Sequence, residues 1–269
     1  GKLLQQLQDG DPEPLMMAWP IATGLAGLGL VHELAHFIQA RRSGLRTGLP
    51  IALPSLQLGS YGCITPLLSF PKSRTELFDF AAVGPLLSGS LSLVLYFVGL
   101  VLSTSIDPSL PAAAVPVLPS GLLQSSLLLG GMAQAILPSI ATQPLVQLDP
   151  LAVIGFTGTL LNALNLLPIG RIDGGRMLSS ALGASNAGVV SGVILLLLGI
   201  STFFVDNPIL LFFGLFIIVL QRTPEIPAQD DLTGISNERQ AIAAVAAVVV
   251  LLTLLPFPVT TAGPTAPFF

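Results

Sequence analysis

Two imidazoles and a carboxylate stand together in His32-Glu33-Leu34-Ala35-His36. On a helix, residues i and i+4 lie one above the other on the same face, so the two histidines can share one metal ion with Glu33 beside them. This arrangement suits zinc-assisted hydrolysis, in which imidazoles hold the ion and a nearby carboxylate takes a proton from water. The five-residue pattern also arises by chance, as two hydrogen-bonded histidines and an incidental glutamate. Here both of the chain's 2 histidines belong to it, and they flank the single charge of an apolar run. An unpaired charge inside a bilayer costs about 2.5 kcal/mol or more, which makes an ionisable group there a functional candidate.

Two histidines leave a zinc site incomplete. The best source of a third ligand is Asn165-Leu166-Leu167-Pro168-Ile169-Gly170-Arg171-Ile172-Asp173-Gly174-Gly175-Arg176. Pro168 cannot continue a helix and Gly170, Gly174 and Gly175 permit an irregular backbone, so a break is expected there, with Asp173 projecting from a loop. A carboxylate oxygen of Asp173 would complete a His₂Asp set and leave the fourth position to water. Asp173 could instead cap a helix or pair with Arg171 or Arg176, two residues read most simply as interfacial anchors. Cys63 is a rival ligand, or else a small buried apolar residue.

The elements that must position these groups are apolar. The chain of 269 residues is 52% hydrophobic and 9% charged, with mean hydropathy +0.84, whereas soluble domains carry roughly a quarter charged residues. With 10 Lys+Arg against 14 Asp+Glu, no basic surface is available for nucleic acid, and no Walker sequence marks an ATP site. One cysteine excludes an internal disulfide. The first residue is Gly1 and nothing before Pro14 resembles a leader, so a processed or trimmed membrane domain is expected.

Apolar segments run at about Leu15–Ile38, Leu77–Leu102, Leu151–Leu167, Gly188–Val205, Pro208–Leu220 and Ala241–Leu255, several near the length of roughly 20 residues that spans a bilayer. Arg41, Arg42, Arg46, Lys72 and Arg74, then Arg171 and Arg176, then Arg222 and Arg239 gather at one set of ends. Asp9, Asp11, Glu13, Asp107, Asp149 and Asp206 occupy the other. The positive-inside rule then predicts an all-α polytopic membrane protein of about six transmembrane helices, with the basic loops on the cytoplasmic or stromal side. The weaker segment Leu122–Ile140 is expected to be re-entrant, interfacial or part of a hairpin, and the Pro-rich Asp107–Pro119 to be a loop outside the membrane. Leu49–Pro66 reads either as a plain loop or as a small β-hairpin near the active site, turning at Gly59-Ser60-Tyr61-Gly62. Residues 1–182 are expected to form the catalytic membrane core and 183–269 to add further helices to the same domain.

HELAH in the first long segment and NLLPIGRIDGG in a later one resemble the site-2 protease family of intramembrane zinc metalloproteases, whose motifs are HExxH and NxxPxxxxDG. Phe80-Ala81-Ala82-Val83-Gly84-Pro85 is similar to the family's FxxAGP segment, with Gly84 and Pro85 read as close-packing and kink residues. Leu58–Thr65 and Asp173-Gly174-Gly175-Arg176 are similar to the plastid and cyanobacterial subgroup. The resemblance implies one zinc ion on His32, His36 and Asp173, with Glu33 as base. It also gives Asn165 a contact to substrate backbone or a developing oxyanion, the alternative being an interhelical hydrogen bond. It further implies a transmembrane substrate, a plastid membrane (thylakoid or inner envelope) or a cyanobacterial one, and no need for ATP. A substrate helix must unwind before its carbonyls can be attacked. The hairpin could pair with that unwound strand, placing Leu56 and Leu58 at the substrate path. The competing expectations are a catalytically silent zinc-binding scaffold or assembly factor, and a transporter, which would call for inverted repeats that the sequence does not display.

Overall fold

The computed structural model describes residues 13–55, 58–107, 115–201, 208–220 and 225–257. Two helices carry most of the early chain: α1 (Glu13–Ser43) and α2 (Arg74–Ser103). Their ends follow from local chemistry. Arg41 and Arg42 lie in the last turn of α1, where cations oppose the negative end of the helix dipole. Gly44 then adopts φ +71°, and the amide of Leu45 donates to the carbonyl of Ala40 at 2.9 Å, closing the helix. Ser73 opens α2 by accepting from the Glu76 amide at 3.3 Å.

Between them lies an antiparallel hairpin of β1 (Ile51–Ser55) and β2 (Gly59–Ile64), with Ile51 opposite Ile64 and Ser55 opposite Gly59. The hairpin expected from the sequence is present, but its turn precedes Gly59 and the Gly59–Gly62 stretch is strand. The reason is that Gly59, at φ +77°, ends the reversal, while Gly62, at φ +99°, lies inside β2.

Next come β3 (Val117–Pro119), α3 (Ser120–Leu123), α4 (Leu127–Ile136), a 3₁₀ turn (Pro138–Ala141) and β4 (Leu145–Gln147). Strands β3 and β4 pair antiparallel, Val117 opposite Gln147. Thus Val117–Pro119, expected as loop, is strand, while 108–114 of that Pro-rich stretch lie outside the described residues. Helix α4 rises only about 15 Å against a hydrocarbon core of about 30 Å, too short to span it alone. The chain continues as α5 (Pro150–Asn165), α6 (Asp173–Leu182), α7 (Ala184–Ser201), α8 (Pro208–Leu220) and α9 (Asn237–Leu254).

Three helices among the described residues are long and apolar enough to span a membrane: Ala18–Ser43, Arg74–Ser103 and Asn237–Leu254. Helices α5, α7 and α8 coincide with three further apolar segments and fall outside that set.

The described residues fall into two compact units. One takes those of Gly1–Gly29, Ser90–Leu160 and Leu252–Ala266, the other Leu30–Gly89 and Leu161–Leu251. The first is centred on buried Tyr96, Leu100, Leu123, Leu129, Ile140, Leu148 and Phe156. The Tyr96 hydroxyl donates to the Leu129 carbonyl at 2.9 Å, so the buried phenol is satisfied. Helices α2 and α5 touch backbone to backbone here. A Cβ on Gly99 would lie 2.0 Å from the Ala152 nitrogen and one on Gly155 2.2 Å from that of Tyr96. Small residues permit such close approach, the usual means of packing helices where lipid removes the hydrophobic drive. The second unit holds the β1–β2 hairpin, α6 to α8 and α9 up to Leu251. It buries Phe78, Ala81 and Ala82 against Met177, Ile235 and Ala246, and Ala40 against Leu45, Leu67, Leu77 and Phe80.

This packing predicts that Gly155→Leu destabilises the protein by about 1–3 kcal/mol, read as a lower thermal midpoint in detergent. Gly188→Ala, where nothing lies within 4 Å of the added carbon, leaves the midpoint unchanged.

Candidate metal centre

The HExxH helix places both histidines on the inner face of the second unit. The Nε2 atoms of His32 and His36 are 3.0 Å apart, and Asp173 Oδ2 lies 3.1 Å from the first and 3.3 Å from the second. All three side chains are buried. They are the one group of three metal-ligating side chains found among the described residues. Cys63 is outside it, half-buried opposite Ala52 on the hairpin. Burial, and secondarily the charge of Glu33, push its thiol pKa up.

The chain reaches this geometry through a tight reversal after α5. Gly170 takes φ +54°, and α6 begins at Asp173. The expected break is there, but Asp173 opens a helix instead of standing in a loop. A Cβ on Gly174 would lie 2.0 Å from the Leu166 carbonyl oxygen and one on Gly175 2.2 Å from that of Gly170. The first turn of α6 therefore packs directly on the reversal, which two glycines allow and any side chain would prevent. Gly84 has a corresponding role on α2. A Cβ there would lie 2.4 Å from His36 Nε2 and 2.9 Å from His32 Nε2, at the mouth of the cluster. Gly84 thus faces the cluster itself and does more than permit helix packing.

Outer hydrogen bonds set the imidazole tautomers. His36 Nδ1 lies 2.8 Å from the carbonyl oxygen of Phe80, which can only accept, so the proton is on Nδ1. His32 Nδ1 faces Ser88 Oγ at 3.0 Å and Asn162 Oδ1 at 3.3 Å. The Ser88 hydroxyl can donate to Asn162 Oδ1 or to the Gly84 carbonyl, leaving its lone pair to accept from His32. Two bare Nε2 lone pairs and a carboxylate oxygen then face one another at close range, an arrangement that repels itself unless a cation lies among them. A tetrahedral zinc with bonds of about 2.0 Å has ligand–ligand edges of about 3.3 Å, close to the separations found. The donor set and its spacing fit one such ion.

Glu33 does not belong to the triangle. Its Oε2 accepts from the Thr65 hydroxyl at 2.6 Å, just beyond β2. Asn165, at the end of α5, donates through Nδ2 to the carbonyls of Tyr61 at 3.3 Å and Leu161 at 3.1 Å, while its buried Oδ1 has no partner. Leu58 is half-buried beside the hairpin turn, and Leu56 lies outside the described residues. Arg176 is not an interfacial anchor. Fully buried, it donates to Glu225 Oε2 at 2.5 Å and to the Thr65 carbonyl at 2.9 Å. The sequence reading missed Thr65, Ser88, Asn162 and Glu225. Ser88 and Asn162 did carry a signal, as polar residues inside apolar segments; Glu225 carried none.

Apolar helices around a buried His₂Asp cluster with a glutamate alongside define a membrane protein with the donor set of a metallohydrolase. The chain belongs to peptidase family M50, the site-2 protease family, which its residues 20–200 match. It is 37% identical over 241 residues to the protein named probable zinc metalloprotease EGY1, chloroplastic, of Arabidopsis thaliana, covering 89% of this chain and 43% of that one. Its identity to the Oryza sativa subsp. japonica protein of the same name is 35%, over 89% of this chain and 41% of that one. To probable zinc metalloprotease EGY2, chloroplastic, of Arabidopsis thaliana it is 31%, over 97% and 44%. The chain spans less than half the length of these curated relatives. No solved structure matches it.

If the cluster holds a metal, His32→Ala, His36→Ala and Asp173→Ala each lower bound zinc, measured by elemental analysis of purified protein. Gly84→Ala does the same without removing a ligand, because its methyl enters the ligand cluster. Gly27→Ala on α1, with open space around it, keeps the metal.

Proposed function

We propose that the chain is the catalytic region of an intramembrane zinc endopeptidase, hydrolysing peptide bonds in or near transmembrane segments of membrane-protein substrates. The observation that carries this reading is the convergence of His32, His36 and Asp173 beside Glu33. Membership of peptidase family M50, and the names of relatives that are called probable zinc metalloproteases, support it.

His32 and His36 through Nε2 and Asp173 through Oδ2 are the residues that would hold the ion. Zinc, when bound, supplies a Lewis acid that polarises the scissile carbonyl and makes water acidic enough to act as nucleophile near neutral pH. Glu33 is the base: its carboxylate takes a proton from the attacking water and returns it to the leaving amine. Phe80, Ser88 and Asn162 keep the imidazole protons on Nδ1.

The substrate enters as an unwound strand beside the β1–β2 hairpin, whose outer edge offers backbone groups to it. Leu56 and Leu58 border that path. Asn165 faces it with its unpartnered Oδ1, which suits a substrate backbone N–H better than an oxyanion, since Nδ2 is already engaged. Residues 1–182 form the core, and 183–269 add helices to the same domain; the ion pair between Arg176 and Glu225 supports that unity. About six spans carry the chain through the bilayer, with the basic loops on the stromal or cytoplasmic side. The chloroplastic relatives favour a plastid membrane, thylakoid or inner envelope. A catalytically silent zinc-binding scaffold or assembly factor would have no use for a hydrogen-bonded carboxylate beside the ligands, and the Thr65–Glu33 contact argues against it.

Glu33→Gln separates base from ligand. It is expected to retain zinc, to bind substrate, and to lose at least about 100-fold in cleavage of a single-span membrane substrate. Cleavage at the wild-type rate, or loss of zinc as complete as in Asp173→Ala, would remove Glu33 from the role of base.

A further inference from the structure

We propose that Thr65 is the positioning residue of the base, and that the buried pair Arg176–Glu225 fixes Thr65 in that role; the proposal rests on Glu33 acting as base. The Thr65 hydroxyl donates to Glu33 Oε2 at 2.6 Å, which leaves Oε1 outside this contact as the oxygen assigned to take the proton. A carboxylate on a helix surface otherwise samples several rotamers, and a base misplaced by about 1 Å can lose about 100-fold in rate.

The hydroxyl is itself held from several directions. Thr65 is buried and precedes Pro66, which confines its backbone to extended conformations. The Pro66 carbonyl accepts from the Gly48 amide at 2.8 Å, and the Arg46 carbonyl from the Leu68 amide at 2.8 Å, so the strand is pinned just beyond Thr65. The Thr65 carbonyl accepts from Arg176 Nη2 at 2.9 Å. Arg176 lies one turn after Asp173 on α6, with its guanidinium 5.4 Å from the centre of the Phe80 ring, and the Phe80 carbonyl orients His36. One buried guanidinium thus ties together the helix bearing the third ligand, the strand holding the base and the residue orienting a histidine. Its charge is neutralised by Glu225, which arrives from the segment before α9. A buried arginine without its carboxylate would be costly, so Glu225 is required for the tie to form.

The proposal separates a hydroxyl's effect from that of bulk. The test uses full-chain protein loaded with zinc, in lipid nanodiscs, with a single-span peptide substrate. Thr65→Val keeps the shape and removes the donor; Thr65→Ser keeps the donor. For Thr65→Val the expected result is unchanged zinc content and thermal midpoint, KM within about twofold, and kcat lower by about tenfold or more. Thr65→Ser recovers most of that loss. Wild-type kcat in Thr65→Val, equal impairment of the Ser and Val variants, or loss of zinc or thermal stability in Thr65→Val would each overturn the proposal. Glu33→Gln in the same assay keeps the two readings apart: if it cleaves like wild type, the base assignment fails and this proposal with it. If it is inactive while Thr65→Val is fully active, only the role of Thr65 fails.

Discussion

Three electron-pair donors face one another across 3.0 to 3.3 Å in an apolar interior, and the surrounding structure is arranged to keep them there. Such a cluster repels itself when empty and binds a small divalent cation well, so the protein must supply the force that holds it. Part of that force is geometric. Gly84 leaves its space to the two imidazoles, and Gly174 and Gly175 let α6 settle on the 166–170 reversal so that Asp173 meets the histidines. The rest is hydrogen bonding from Phe80, Ser88 and Asn162, which keeps each ring in one tautomer and one orientation.

The same economy governs the other polar groups of this unit. In a low-dielectric interior, a donor without an acceptor is costly, so the polar side chains come as connected sets. Arg176, Glu225, Thr65 and Glu33 form one chain of contacts, and His32, Ser88 and Asn162 another. Asn165 Oδ1 is an informative exception: it is buried with no hydrogen-bond partner, at the end of the helix that leads into the ligand loop. Tyr61, whose carbonyl holds Asn165, packs its ring edge-on against Phe213 of α8, so the hairpin is supported from both sides.

Much of this was legible in the sequence. The i, i+4 histidines around a lone intramembrane charge identified the first two donors, and the Pro168-to-Gly175 irregularity identified the third. The apolar segments coincided with helices. What could not be read was conformation set by tertiary contact. Gly59 and Gly62 looked like a turn because both favour positive φ, and both adopt it, yet Gly59 pairs with Ser55 and Gly62 lies inside β2. Asp173 looked like a loop residue because the reversal that precedes it also creates a helix start. Arg176 looked like an interfacial anchor because nothing local announces Glu225, which is 49 residues away and carries no motif. Thr65 was invisible for the same reason: a hydroxyl at a strand end has meaning only once Glu33 is 2.6 Å from it.

The central claim is the identity of the metal's ligands, and zinc-edge X-ray absorption on the purified, zinc-loaded chain tests it most directly. Two imidazole and one or two oxygen scatterers at about 2.0–2.1 Å, with no sulfur shell, are the result this account predicts. A sulfur scatterer at about 2.3 Å would bring Cys63 into the site and contradict the His32–His36–Asp173 assignment.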